Sequence, residues 1–134
     1  LPDTPFGGIG YHRIIDAFPS KQVGYLYCIG TRAEAGGQPL VLDEINNYGR
    51  KGRIFMVHFR NVRGSLATAG GYEEVHLDDG DVNMFKIVQA LQDVGFDGCI
   101  NPDHIFAIEG DGADRSQGVA YSVGYIRALL AALQ

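Results

Sequence analysis

A chain of 134 residues is one domain's worth, long enough to bury a core of its own. Its 46% hydrophobic and 20% charged residues exclude a disordered sequence, and a net charge of -5 without a basic stripe argues against a general nucleic-acid binder. No apolar run approaches the ~20 residues of a membrane span and no signal-peptide pattern opens the chain. The cysteines, Cys28 and Cys99, fall on separate predicted strands, so free thiols in a reducing cytoplasm are expected rather than a disulfide.

Prolines and glycines make the opening stretch from Leu1 to Gly10 loop-like. Tyr11 to Phe18 reads as a short helix closed by Pro19, and Val23 to Cys28 as the first strand. After a glycine-containing loop, Pro39 opens a helix whose apolar face includes Leu42 and Ile45 and which stops near Gly49. The basic stretch Arg50, Lys51, Gly52, Arg53 leads into a second strand, Ile54 to His58. Residues 61–80 read as a long irregular connection, of the length that is usually functional or mobile. Asp81 is the predicted N-cap of the next helix, where Met84, Val88 and Leu91, with Phe85 and Ile87 beside them, form an apolar stripe that Gly95 ends. A third strand around Cys99 and Ile100 runs into Asn101, Pro102, Asp103 and His104, with Cys99 placed in the core. Glu109 to Asp114 reads as a second mobile segment, and a last helix carries Val119, Val123, Ile126, Leu130 and Leu133 as a core-facing stripe.

Strands alternating with helices, with near-continuous apolar strands, predict an α/β fold built on a parallel sheet. A closed eight-stranded barrel takes ~250 residues and rarely fewer than ~200, so 134 residues allow half of one, or a small open sheet. The whole chain is read as one such unit.

The first two strands end on Cys28 and His58, and the third runs on to Asp103. In a parallel sheet the carboxyl ends of the strands share one face, where active sites sit, so a thiolate, an imidazole and a carboxylate would meet there as candidate metal ligands. Each has a plainer reading: Cys28 as a small buried hydrophobe, His58 as a satisfied polar residue, Asp103 as a turn cap and His104 as a solvated loop residue. His104, beside Asp103, suits an acid/base role. Arg32, Arg60 and Arg63 follow strand ends, where guanidinium groups either clamp a carboxylate or are ordinary surface charge. His12 and His76 read as surface histidines. Asp78, Asp79, Gly80 and Asp81 read as a turn with an N-cap, with a carboxylate cluster for Mg²⁺ as a minor alternative.

Several segments, in order along nearly the whole chain, resemble the mannonate dehydratases. They are Val57-His-Phe-Arg-Asn-Val62, Asp78-Asp-Gly-Asp-Val-Asn-Met84 and Asn101-Pro-Asp-His104, together with Pro2-Asp-Thr-Pro5, Tyr27-Cys28 and Gly124-Tyr-Ile126. The resemblance implies the C-terminal half of a TIM barrel of the xylose-isomerase-like kind. It implies dehydration of D-mannonate to 2-keto-3-deoxy-D-gluconate with Mn²⁺ or Fe²⁺. By the same resemblance Cys28, His58 and Asp103 are the metal ligands, His104 and Arg60 are catalytic, and Arg60 and Asn61 hold the substrate. The expected partners are a small sugar acid and further copies of the chain, with no nucleic acid and no membrane. A related sugar isomerase or epimerase, or a non-catalytic half-barrel completed by dimerisation, are the alternatives. Two positions depart from the family's pattern. Leu1 stands where a further histidine ligand is usual, and the loop Glu109 to Asp114 lacks the family's tyrosine.

Overall fold

The structure is a computed structural model that describes residues 8–134, with side chains from Arg13 onward. Leu1, the Pro2 to Pro5 segment and the His12 side chain therefore lie outside the described residues. Three parallel strands, β1 (Tyr25–Cys28), β2 (Ile54–His58) and β5 (Cys99–Asn101), form a sheet in the order β1-β2-β5. Between them run the helices α2 (Ile29–Glu44), extended by a π-turn over Ile45–Gly49, and α3 (Met84–Asp93). The helix α1 (Gly8–Ala17) precedes the sheet and α4 (Ser116–Ala131) follows it. A separate antiparallel hairpin, β3 (Asn61–Gly64) and β4 (Tyr72–Val75), stands beyond the end of β2. The expected partial barrel, parallel strands alternating with helices, is what the chain forms.

One face of the sheet is covered. Tyr27 and Val57 point to the helices and are fully buried, and each such apolar side chain contributes about 1.5–3 kcal/mol by leaving water. The other face is open, since strand side chains alternate. Leu26 is about half exposed there, and Cys99 is exposed as well. Cys99 is therefore not in the core as expected. Its alternation with Ile100 was legible, but which side the helices cover was not. The open row Leu26, Met56, Cys99 lies two residues before the row Cys28, His58, Asn101, on the same face.

Helix α2 starts earlier than Pro39. Its first residue follows Cys28 directly, and the run breaks at Gly36 and Gly37, the latter at a φ of +67°. Pro39 begins the second piece, where the missing N–H costs no hydrogen bond. The two pieces are tied by a buried ion pair. Arg32 donates from Nε and Nη2 to the two carboxylate oxygens of Glu44 at 2.7 and 2.6 Å, and the Tyr27 hydroxyl donates to Glu44 at 2.9 Å. Burial, and then the Glu44 charge, push the Tyr27 phenol well above its ordinary pKa, so it stays a donor. Arg32, expected at the surface or on a substrate, is fully buried in this strut instead.

Three further expectations change. Residues 61–80 are not irregular, because the hairpin β3–β4 pairs Asn61 with Val75 through Gly64 with Tyr72. Short strands of mixed polarity, YEEV among them, carry little apolar alternation for a sequence reading to use. Asn83, not Asp81, caps α3 by accepting from the Lys86 N–H, while Asp81 accepts from the Gly64 N–H and secures the hairpin. In α4 the buried line runs through Gly118, Ser122 and Ile126, leaving Val119, Val123 and Leu130 about two-fifths exposed. The small residues let the helix approach the loop below it, so the contact follows the shallow line rather than the bulky stripe. The segment 109–114 is anchored too: Asp111 accepts from the backbone N–H groups of Ile108, Gln117 and Gly118. No helix among the described residues is long and apolar enough to cross a membrane.

Candidate metal centre

Parallel register sets the site. Cys28 pairs with His58 and His58 with Asn101, so thiol and imidazole stand side by side at the carboxyl edge of the sheet. Beyond Asn101 the chain turns back. Asp103 adopts a φ of +64°, uncommon for a residue other than glycine, and its N–H donates to the Asn101 side chain at 3.1 Å. That turn swings the Asp103 carboxylate over the strand ends. Its Oδ2 lies 3.2 Å from His58 Nδ1, and donor atoms of Cys28, His58 and Asp103 all lie within 4.8 Å of one another.

Behind this cluster lies Arg60. Its guanidinium is 2.7 Å from Glu34, 3.1 Å from Glu74 and 3.4 Å from Asp103, and Nη2 donates to Thr31 Oγ1 at 3.0 Å. Thr31 in turn directs both its hydroxyl, at 3.2 Å, and its N–H, at 3.5 Å, onto the Cys28 sulfur. Burial works against the Arg60 charge, but Cys28, Glu34 and Glu74 outweigh it and hold the pKa above the ordinary value. Gly30 makes room for the side chain: a Cβ there would fall 2.5–2.6 Å from the guanidinium. The ion pairs are close but badly directed. Glu34 Oε1 and Arg60 Nε and Nη1 are buried without a well-aligned hydrogen bond. Glu34, Glu74 and Asp103 outnumber the one guanidinium they face, so the pocket is net negative and suited to a cation.

His104, more than half exposed, reaches Glu74 with Nδ1 at 2.7 Å, while its Nε2 is 3.8 Å from Asp103. The structure thus gathers Cys28, His58, Arg60, Asp103 and His104. Asn61 is placed elsewhere. It is buried, and its amide donates to Leu77 O and Val82 O and accepts from the N–H groups of Val62 and Val82, which fills its hydrogen-bonding capacity. Arg63 is a surface residue paired with Asp79 at 2.9 Å. His76 is not a plain surface histidine, since its ring meets Phe106 and Tyr121 edge-on at 5.5 Å. Thr31, Glu34 and Glu74 were missed by the sequence reading. For two of them a signal existed: Cys28, Thr31 and Glu34 recur at a spacing of three along one helix face.

A sulfur, an imidazole and a carboxylate gathered in this way are the donor types that divalent transition metals take. Fold and site together define a partial parallel α/β barrel with a cluster of candidate metal donors at the carboxyl edge of its sheet. Comparisons with known proteins agree. The family model described as D-mannonate dehydratase (UxuA) matches residues 8–134. Mannonate dehydratase from Thermotoga petrophila is 30% identical over 125 residues, covering 87% of this chain and 34% of that protein. Mannonate dehydratase 2 from Halalkalibacterium halodurans is 31% identical over 134 residues, covering 92% of this chain and 38% of that one. The crystal structure of mannonate dehydratase from Streptococcus suis serotype 2 superimposes with a TM-score of 0.72 at 30% identity, over 95% of this chain and 38% of that one. This chain belongs to the mannonate dehydratase family. It spans a little over a third of the length of the curated relatives it matches.

Proposed function

We propose that the chain carries the metal-binding part of an enzyme that dehydrates D-mannonate to 2-keto-3-deoxy-D-gluconate. Cys28, His58 and Asp103 would hold Mn²⁺ or Fe²⁺, with His104 and Arg60 beside them. One observation carries this reading: in a chain of this family, three donors from three separate segments converge within 4.8 Å. A divalent ion held there would polarise the substrate's oxygens and stabilise the enolate-like charge that develops next to its carboxylate.

The remaining work falls to side chains. Dehydration removes a proton from the carbon beside the carboxylate and expels the hydroxyl of the next carbon, and proton and hydroxyl leave together as water. His104 Nε2, on the open side of the cluster, is the group to take that proton. Arg60 acts on an anionic substrate through its permanent positive charge and through Asp103, Thr31 and Cys28, which it holds in place. Asn61 acts one step removed, by fixing the chain as it leaves β2.

Purified protein loaded with Mn²⁺ or Fe²⁺ and given D-mannonate is expected to form 2-keto-3-deoxy-D-gluconate, and Asp103→Ala to abolish it. Absence of metal-dependent product, or product untouched by Asp103→Ala, overturns the reading. The exposed apolar side chains Leu26 and Phe55 support a homo-oligomer, which sedimentation tests; a monomer at micromolar concentration contradicts it. Two free cysteines support a reducing, cytoplasmic location.

A further inference from the structure

Glu74 lies on β4, in the hairpin, and outside the three-stranded sheet whose carboxyl edge carries the candidate ligands. It nevertheless touches the site twice. One carboxylate oxygen is 3.1 Å from Arg60 Nη1 and the other 2.7 Å from His104 Nδ1. A contact of 2.7 Å between a ring nitrogen and a carboxylate oxygen carries a proton, and the Nδ1–H tautomer of a neutral ring is the one that donates to a carboxylate there. On a neutral imidazole that leaves Nε2 with its lone pair, and Nε2 lies 3.8 Å from Asp103, too far to hydrogen-bond to it. Glu74 is itself restrained, because its other oxygen faces the buried guanidinium of Arg60.

From these contacts we propose that Glu74 is a positioning residue, which fixes both the ring orientation and the proton location of His104 so that Nε2 faces the cluster as a base. It is the carboxylate partner that a working imidazole needs, delivered by a hairpin rather than by the barrel strands. The Glu74–Arg60 contact also links the buried cation to the exposed imidazole, so the orientation of His104 is tied to the interior of the site. The role in proton transfer rests on the dehydratase reading, whereas the tautomer of His104 does not.

The test is ¹⁵N NMR of histidine-labelled protein, recorded on neutral imidazoles, with the His104 signals assigned by their loss in His104→Gln. The wild-type ring is expected in the Nδ1–H form, and Glu74→Ala and Glu74→Gln to move it toward Nε2–H. Glu74→Gln keeps the size of the side chain and guards against a folding defect in Glu74→Ala. A wild-type ring already in the Nε2–H form, or a tautomer unchanged in both variants, overturns the proposal. Where D-mannonate is turned over, both variants should lose about tenfold or more in kcat at unchanged KM. An unchanged kcat also overturns it. A protein that does not turn over D-mannonate fails the dehydratase reading and leaves the NMR result to decide this one.

Discussion

Two buried arginines follow the first two strand ends, and they differ in one respect. Arg32 meets a single carboxylate in a bidentate, well-aligned pair, with Tyr27 completing the set. Arg60 faces Glu34, Glu74 and Asp103 at comparable distances, yet two of its nitrogens lack an aligned acceptor. The first arrangement is closed, with each charge matched, and it sits beneath the helix break as a strut. The second is open, with surplus negative charge next to three candidate metal ligands. Burial alone does not tell a structural ion pair from a functional one; the degree of satisfaction does.

The comparison is broken or sharpened by substitution. The largest effect is expected at the ligands: Cys28→Ser or Asp103→Ala should weaken Mn²⁺ binding by more than about 100-fold, beyond the 10–100-fold typical of outer partners, as read by calorimetric titration. Next comes Arg32→Met, which strands Glu44 in the core and should cost about 3–5 kcal/mol in urea unfolding without changing Mn²⁺ affinity. Arg60→Met strands the buried Glu34 and should cost a similar amount in stability, but unlike Arg32→Met it should also change Mn²⁺ affinity; affinity unchanged in both would erase the distinction. Thr31→Val removes the hydroxyl that joins Arg60 to the Cys28 sulfur, and is expected to weaken Mn²⁺ binding about tenfold at a stability cost near 1 kcal/mol.

The smallest effect concerns another satisfied carboxylate, Asp111. Burial tends to raise the Asp111 pKa, but the backbone donors of Ile108, Gln117 and Gly118 prevail and hold it below the ordinary value. A carboxyl whose folded-state pKa is depressed stabilises the fold above the unfolded value of about 3.9, and that contribution disappears as pH falls through the folded value. The stability gap between wild type and Asp111→Asn should therefore be widest near neutrality and shrink below about pH 4. A gap independent of pH would remove Asp111 as an ionised anchor of α4.

Much of this was legible in the sequence, for identifiable reasons. Parallel strands show as apolar runs, and a run ending in Cys28 or His58 carries its own register, so the convergence of these side chains could be read without coordinates. Asp103 was legible through Pro102 and the turn residues around it. What escaped depended on which of two faces is covered. Cys99 and the α4 stripe were assigned to the core on apolar character, but the sheet's helix-free face is open and α4 packs through Gly118 and Ser122. The hairpin escaped because its strands are short and polar, and Glu74 went unnoticed with it. Arg32 looked like a surface clamp because its partner, Glu44, lies beyond a helix break marked only by two glycines.

The most direct test of the central claim is the optical spectrum of the chain titrated with Co²⁺ as a stand-in for the native ion, beside Cys28→Ser. A saturable thiolate-to-metal charge-transfer band at one equivalent, lost in Cys28→Ser and outcompeted by Mn²⁺ or Fe²⁺, is the predicted result. Co²⁺ binding without that band, or a band that survives the substitution, would contradict a metal centre built on Cys28, His58 and Asp103.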